Sequence, residues 1–535
     1  MNIKNIKPFV TLAIAAMVSI TGCQKGDLID NPNVASSTAT IPSSLVLNHL
    51  TASLIRSPEL AWGDAYKTDQ YIVANYAYYR GTNFYTFGNT TDSYDILKYA
   101  IKLEEESTAQ LGNQTNKYYA LAQFFRAYSA IWLTQRVGDI PMSQAGDPAI
   151  LKPKYDTQHD VYKNSLALLD KANTILGALN ATPAVANTAI DATGDIFGLT
   201  SFQWQKLINT YRLRVLISLS KRAVDNADLN IPSQFATIIN TPATYPIMTG
   251  NSDNMVYKFN AAFNTYPLNN SPYNNYANIS KTFLEVTTAN QDPRTFAIAT
   301  PAPAQIKAGK LVSDFTAYIG SDVNVSQAAL LTNSNAGAYS FANFNRYYTS
   351  SSGANAELFT MLSYSEMCFN IAEGINRGWV AGSSSTWYLS GINASLSTFG
   401  LSNGQAYTVG DLAGKTIGTT TINIPQFLAN ANVAYKGDTA DGLAQIFTQR
   451  YVAMFNNSGY EAYYNWRRSV SIAVPAGIPA FGQGGAGIGT ASSLIPHRWL
   501  YPALEISYNS DNYTAAIASQ YGGVDDLFKD MWLIK

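Results

Sequence analysis

Over residues 117–135, the apolar positions Ala120, Phe124, Ala127 and Ile131 recur at intervals of three and four, which lines them up along one face of a helix. The run Val137-Gly138-Asp139-Ile140-Pro141 ends that pattern, because Gly supplies a left-handed cap and Pro forbids continuation. A second helix opens at Thr157, with Asp160 three residues on as in a capping box. Its stripe is Leu166, Leu169, Ala172, Leu176 and Leu179, so the two segments predict an antiparallel helical pair. Ala120, Phe124 and Ala127 also follow the A-x3-F-x2-A core of a tetratricopeptide unit, where small side chains let neighbouring helices approach closely. Helical patterning begins near Ser43, and further helices are readable over residues 204–223, 358–377 and 443–455. Between them, residues 241–280 and 383–424 are rich in Asn, Thr, Tyr and Gly. Long loops of this kind in a compact protein are more often functional than idle. The pattern predicts an all-α scaffold carrying large ligand-facing loops, with a few short strands inside them.

The first residues read differently. Lys4 and Lys7 make a positive start, and residues 9–20 are an apolar stretch too short to span a bilayer, as in a signal peptide. It runs into Ile20-Thr21-Gly22-Cys23, which resembles a bacterial lipobox, where the cysteine becomes acylated and N-terminal. Residues 1–22 are therefore expected to be a lipoprotein signal peptide, with lipid on Cys23. Acyl chains contribute about 0.8 kcal/mol per buried methylene, enough in combination to anchor a protein without a spanning helix. Residues 23–42, polar and without periodicity, are expected to be a flexible tether, and residues 43–535 one ligand-binding domain. If Cys23 carries lipid, Cys368 has no partner for a disulfide.

Charge narrows the choice of ligand. Only 13% of residues are charged and the net charge is −1, against about 25% charged in an ordinary soluble chain. Such a surface offers no electrostatic footprint for nucleic acid and suits a neutral, hydroxyl-rich ligand.

Several separated segments, taken in order, resemble one family. They are AQFFRAYSAIWLTQRVGDIP at 122–141, WQKLINTYRLRVLISLSKRA at 204–223, Asp292-Pro293-Arg294, and SYSEMCFNIAEGINRG at 363–378. Gln449-Arg450-Tyr451, EAYYNWRR at 461–468 and IPHRWLYPALEISYN at 495–509 complete the series. Together with the lipobox they resemble the SusD/RagB family. The resemblance implies tetratricopeptide-like helical pairs forming an α-α superhelical scaffold. It implies a lipid-anchored place on the outer membrane, facing the cell exterior, and a lid on a SusC-like TonB-dependent transporter. It further implies capture of an oligosaccharide, or of a peptide in RagB-like members, with no catalytic activity and no cofactor. The loops depart from the starch-binding prototypes, and no set of binding aromatics transfers residue by residue.

Candidate chemistry follows from what a neutral sugar needs: flat apolar faces for the ring and nearby hydrogen-bonding groups for its hydroxyls. Tyr supplies both, and the chain has 35, against 23 Phe and 8 Trp. The densest run, residues 75–89, offers Tyr78, Tyr79, Arg80, Asn83, Phe84 and Tyr85, and residues 264–276 offer Tyr266, Asn269, Tyr273, Asn274 and Tyr276. Arg126, Arg294, Arg467 and Arg468, with Asp139 and Glu373, read instead as scaffold groups, since a guanidinium satisfies several buried acceptors at once. Catalytic readings are weak. His49, His159 and His497 share no metal-ligand spacing, so no metal is expected. Gly482, Gly484 and Gly487 spell G-x-G-x-x-G without the strand and helix of a dinucleotide site. A surface glycan hydrolase would need two carboxylates about 5–9.5 Å apart, and an adhesive surface protein would need no pocket.

Overall fold

Polar caps and apolar stripes in the sequence set the first block of helices. In the computed structural model, described for residues 40–85, 87, 88, 93–260, 262, 264–268, 276–348, 357–470 and 495–535, it comprises α1 (Ser43–Ser53), α2 (Ser93–Leu111), α3 (Lys117–Val137), α4 (Gln158–Asn180) and α5 (Ser201–Ser218). Each packs on the next in turn. Asn116 caps α3 by accepting from the Tyr119 amide at 2.8 Å, and Gly138 leaves it at φ +97°. Thr157 caps α4 by accepting from the Asp160 amide at 3.2 Å. The pair α3/α4 is antiparallel: Gln158 donates to the Thr134 carbonyl near one end, and Lys171 to the Tyr119 hydroxyl near the other. The pair α4/α5 repeats the arrangement, with Asn180 on Gln205 and Arg212 on Asp170. Ser43–Lys535 is one compact unit. Of the separate segment Met1–Pro42, only residues 40–42 are described, so Cys23 and the expected signal peptide lie outside the described residues, as does the glycine run at 482–487.

The second block consists of α6 (Ile231–Asn240), α7 (Lys281–Ala289), α8 (Tyr364–Asn376), α9 (Ser384–Thr398), α10 (Ala440–Ala453) and α11 (Glu461–Val470). Its centre is α8, which packs against α5, α9 and α10. Glu366, Asn370 and Glu373, at helical spacing, share one face of α8. Each meets an arginine. Arg214 of α5 takes Glu366, its Nε at 2.6 Å from Oε1. Arg450 of α10 reaches Asn370 at 2.8 Å and Glu373 at 2.9 Å. Arg468 of α11 forks onto both Glu373 oxygens at 2.5 and 2.7 Å, and Arg377 takes Oε1 at 2.8 Å. Burial alone would raise the Glu373 pKa; the guanidinium groups of Arg468, Arg377 and Arg450 outweigh it and hold the carboxyl well below the usual carboxylate range. The next residue, Gly374, is equally constrained: a Cβ there would sit 2.4 Å from the Phe235 ring of α6.

Among the described residues, three two-stranded antiparallel sheets lie between the helices. They pair β1 (Ile72–Ala74) with β3 (Ala277–Ile279), β2 (Met255–Tyr257) with β4 (Phe359–Leu362), and β5 (Ala406–Gly410) with β6 (Thr416–Thr421). The structure corrects the sequence reading in three places. Helix α3 is buried on nearly every side rather than along one face, because α2 and α4 cover it from two directions. Residues 359–362 of the helix expected at 358–377 are a strand. The segment 383–424, expected to be loop with short strands, holds the helix α9 as well as the β5–β6 hairpin. Ser- and Thr-rich α9 is a poor intrinsic helix former. It is held by the Ser383 cap and by Gly391, where a Cβ would sit 2.8 Å from the Phe369 ring.

Glu373→Gln is expected to cost about 3–5 kcal/mol, because it leaves the buried Arg450 and Arg468 guanidinium groups, and half-buried Arg377, without their counter-charge. A depressed folded pKa contributes stability above the unfolded carboxyl pKa and loses it as pH falls through the folded one. The gap in melting temperature between wild type and E373Q should therefore be full above about pH 5 and shrink below about pH 4.

Candidate ligand-binding site

Strand pairing brings the two tyrosine-rich runs together. β1 and β3 pair with Ala74 opposite Ala277, and the Asn75 amide donates to the Tyr276 carbonyl at 3.1 Å. The Asn75 side chain fixes the junction by donating to Asn278 Oδ1 at 2.9 Å and Ser334 Oγ at 2.8 Å. From this edge the chain makes one helical turn, Ala77–Arg80, and leaves it through Gly81 at φ +68°, a conformation glycine adopts without steric cost. The Lys67 ammonium holds the end of the turn by donating to the Arg80 and Thr82 carbonyls.

The rings gathered there form a patch open to solvent. Tyr79 stacks on Tyr276 with centroids 4.9 Å apart and planes at 21°. Tyr76 lies 5.0 Å from Tyr276, and Tyr78 meets Tyr79 edge-on at 4.8 Å. Tyr78 is 82% exposed and Tyr79 44%. Large aromatic rings left in water in a fold with an ample core are the informative exception. Phe84 is also exposed, and Arg80, half-buried, lies beside the Tyr348 hydroxyl. Tyr76 belongs to this patch although the sequence reading passed over it; it stood in the same aromatic run, directly after Asn75.

Three other expected ligand residues belong to the scaffold. Tyr266 is fully buried and accepts from the Trp62 indole at 2.6 Å. Tyr85 is buried and accepts from Gln70 at 2.9 Å. Asn83 has its amide committed to both sides of the Ala74 peptide, accepting from its N–H at 2.7 Å and donating to its carbonyl at 2.8 Å. Asn269, Tyr273 and Asn274 lie outside the described residues. The arginines read as structural are so placed: Arg294 is fully buried and clamps Asp292 at 2.6 Å, and Arg467 and Arg468 are buried in α11.

Two carboxylates that border one cavity are engaged in the scaffold. Glu59 and Glu461 border a cavity of about 50 Å³ between α3, α5 and α11, small beside the roughly 300–1,000 Å³ of ligand pockets. Glu59 is bound by Arg136 at 2.8 Å and the Trp132 indole at 2.9 Å. Glu461 lies 3.7 Å from Arg214, and burial pushes its pKa up to about 7. Among the described residues no three His, Cys, Asp or Glu side chains converge as metal ligands, and no helix is long and apolar enough to cross a membrane.

A helical scaffold thus displays an aromatic patch at a strand edge, while Glu59, Glu366 and Glu373 are bound by arginines. The chain belongs to the SusD-like family described as starch-binding and associating with the outer membrane, whose sequence profile matches residues 36–502. Solved structures agree. A SusD homologue from Bacteroides fragilis is 27% identical with a TM-score of 0.76, covering 92% of this chain and all of its own. An outer-membrane protein from Bacteroides vulgatus, provisionally assigned to nutrient binding, is 26% identical with a TM-score of 0.73 over the same shares. A second Bacteroides fragilis SusD homologue is 27% identical with a TM-score of 0.72, covering 92% of this chain and 99% of its own. No curated protein matches the sequence.

The two kinds of tyrosine should separate in stability measurements. Tyr266→Ala is expected to destabilise by about 3–5 kcal/mol, the range for emptying a buried aromatic site. Tyr78→Ala should stay within about 0.5 kcal/mol of wild type. Denaturant melts of both variants test the assignment.

Proposed function

We propose that this protein is a lipid-anchored receptor on the outer face of the outer membrane that binds a neutral oligosaccharide and delivers it to a SusC-like TonB-dependent transporter. Family membership across residues 36–502 supports the receptor class. The observation that carries the ligand class is the solvent-facing Tyr76, Tyr78, Tyr79 and Tyr276 cluster, assembled from two distant segments. Stacked aromatics contribute about 0.5–1.5 kcal/mol each beyond burial, and a net hydrogen bond about as much. A few of each give micromolar to millimolar affinity, which suits a receptor that must release its cargo. In this reading the helical face holds the transporter while the loops close over the ligand, and no bond of the cargo is broken.

Titration of the soluble form beginning after Cys23 with neutral oligosaccharides and with peptide mixtures tests the ligand class. Tyr79→Ala and Tyr276→Ala should each raise the saccharide Kd about 2- to 10-fold, the range that one lost stacking contact corresponds to, with unchanged melting. Binding of peptides alone moves the protein to the RagB-like reading, and shortened saccharide products make it a hydrolase. The anchor is tested separately. Cys23→Ala in the full chain should shift the protein from the membrane pellet to the soluble fraction and abolish incorporation of labelled palmitate.

A further inference from the structure

A second groove lies away from the aromatic patch, between the end of α7, the β5–β6 hairpin and the helical turn Ile424–Ala429. Its volume is about 780 Å³, within the range of small-molecule sites. The lining is unusual in kind. Thr288 and Gln291 stand on one wall and Asn403, Thr421 and Gln426 on the other, so both walls carry neutral hydrogen-bonding side chains. Among the described residues, the Thr420 and Thr421 hydroxyls and the Asn403 amide nitrogen bond no partner, while Gln426 spans the groove to Gln291 at 3.0 Å. The floor supplies a flat apolar face: Phe315, half-buried, lies 4.8 Å from buried Phe296 with planes at 30°.

Charge selects among ligands for such a groove. No Lys, Arg or His lines it, and the Oδ1 of its one carboxylate, Asp314, accepts from the Thr316 amide at 2.8 Å and hydroxyl at 2.7 Å. The neighbouring Lys310 ammonium donates to the Thr316 carbonyl at 2.9 Å, so phosphates and acidic peptides find no counter-charge among the lining side chains, and an apolar ligand would leave the Thr and Asn groups unpaired at a cost. A pyranose unit meets both demands, with an apolar face for Phe315 and hydroxyls for the walls. With a single carboxylate the groove lacks the pair that glycoside hydrolysis uses.

We propose that the groove between Phe315, Asn403 and Thr421 is a second saccharide-binding site, separate from the Tyr79–Tyr276 patch. This rests on the reading of the protein as a glycan receptor. α7 begins directly after β3, which carries the patch, and ends at the groove; its nine residues correspond to about 14 Å of helix. The two sites are thus fixed to one rigid element. A polysaccharide that engaged both would gain avidity, by about 10²–10⁴ where the geometry allows simultaneous contact.

Isothermal titration of the soluble full-length mature chain with maltohexaose, cellohexaose, xylohexaose and chitohexaose tests this. Three proteins are compared: wild type, Phe315→Ala/Asn403→Ala, and Tyr79→Ala/Tyr276→Ala. Thr421→Trp, at an exposed position, blocks the groove by bulk and serves if the first groove variant melts early. The expected result is two binding events for at least one hexaose, one of them lost or weakened at least about fivefold in the groove variants and retained in the tyrosine variant. Binding that the tyrosine changes weaken and both groove variants leave untouched overturns the groove and leaves the receptor reading standing. Loss in the groove variants alone upholds the groove and overturns the patch as the site. Wild-type protein that binds none of the hexaoses overturns both.

Discussion

The fold turns on a row of buried charges along one face of α8. Glu366, Asn370 and Glu373 each receive a guanidinium from a different element, so Arg214 of α5, Arg450 of α10 and Arg468 of α11 are fixed against one helix. Arg294 extends the row: it clamps Asp292 and reaches Gln449, the residue before Arg450. Replacing such a network by apolar side chains can be neutral or even stabilising, whereas deleting one member strands the others. Its use here is specification. Leucines would pack at several rotations of these helices, but a carboxylate that must satisfy three forks leaves one register.

That register reaches the exposed tyrosine patch through Tyr451. The residue follows Arg450, and its ring stacks on Tyr71 at 4.7 Å and 19°. Its hydroxyl donates to the backbone just before β1, and the Tyr71 hydroxyl donates back to the Tyr451 carbonyl at 2.6 Å. β1 is therefore bolted to α10, β3 is bonded to β1, and the exposed tyrosines hang from the ends of both strands. A rigid platform matters for weak stacking contacts, because each ring that must be ordered on binding forfeits part of a contribution of only about 1 kcal/mol.

The helical pairs were legible because their caps and stripes are local: Asn116, Gly138 and Thr157 act within a turn of where they stand. The pieces that failed to read were decided by tertiary partners. α9 is Ser- and Thr-rich and forms because Gly391 lets it close on Phe369; residues 359–362 become a strand because β2 lies alongside. The tyrosines show the same divide. Tyr79, Tyr85 and Tyr266 look alike in sequence, and only long-range placement separates a ring in water from a phenol whose hydroxyl is used by Gln70 or Trp62. Joining the two tyrosine runs depended on pairing Ala74 with Ala277, some 200 positions apart, which no local pattern encodes. The buried arginines were readable as scaffold because a charge among apolar residues requires a partner, though which partner was not.

The carboxylates of the described residues bear on the proposed receptor reading. Glycoside hydrolysis asks for an acid and a base facing one open cleft with their pKa values pushed apart. This chain does push them apart: Glu373 is held ionised by three arginines, while burial raises Glu461 to about 7 and Asp139 to about 6. Burial raises Asp69 and Asp195 as well; these two and Asp139 are buried in the scaffold, and Glu461 nearly so. Glu461 faces a cavity of about 50 Å³, and Asp139 accepts the Gln158 amide at the start of α4. The two surfaces proposed to take ligand are dominated instead by tyrosine, threonine and asparagine, whose rings and hydroxyls suit the faces and hydroxyls of a sugar, and neither offers a facing pair of carboxylates.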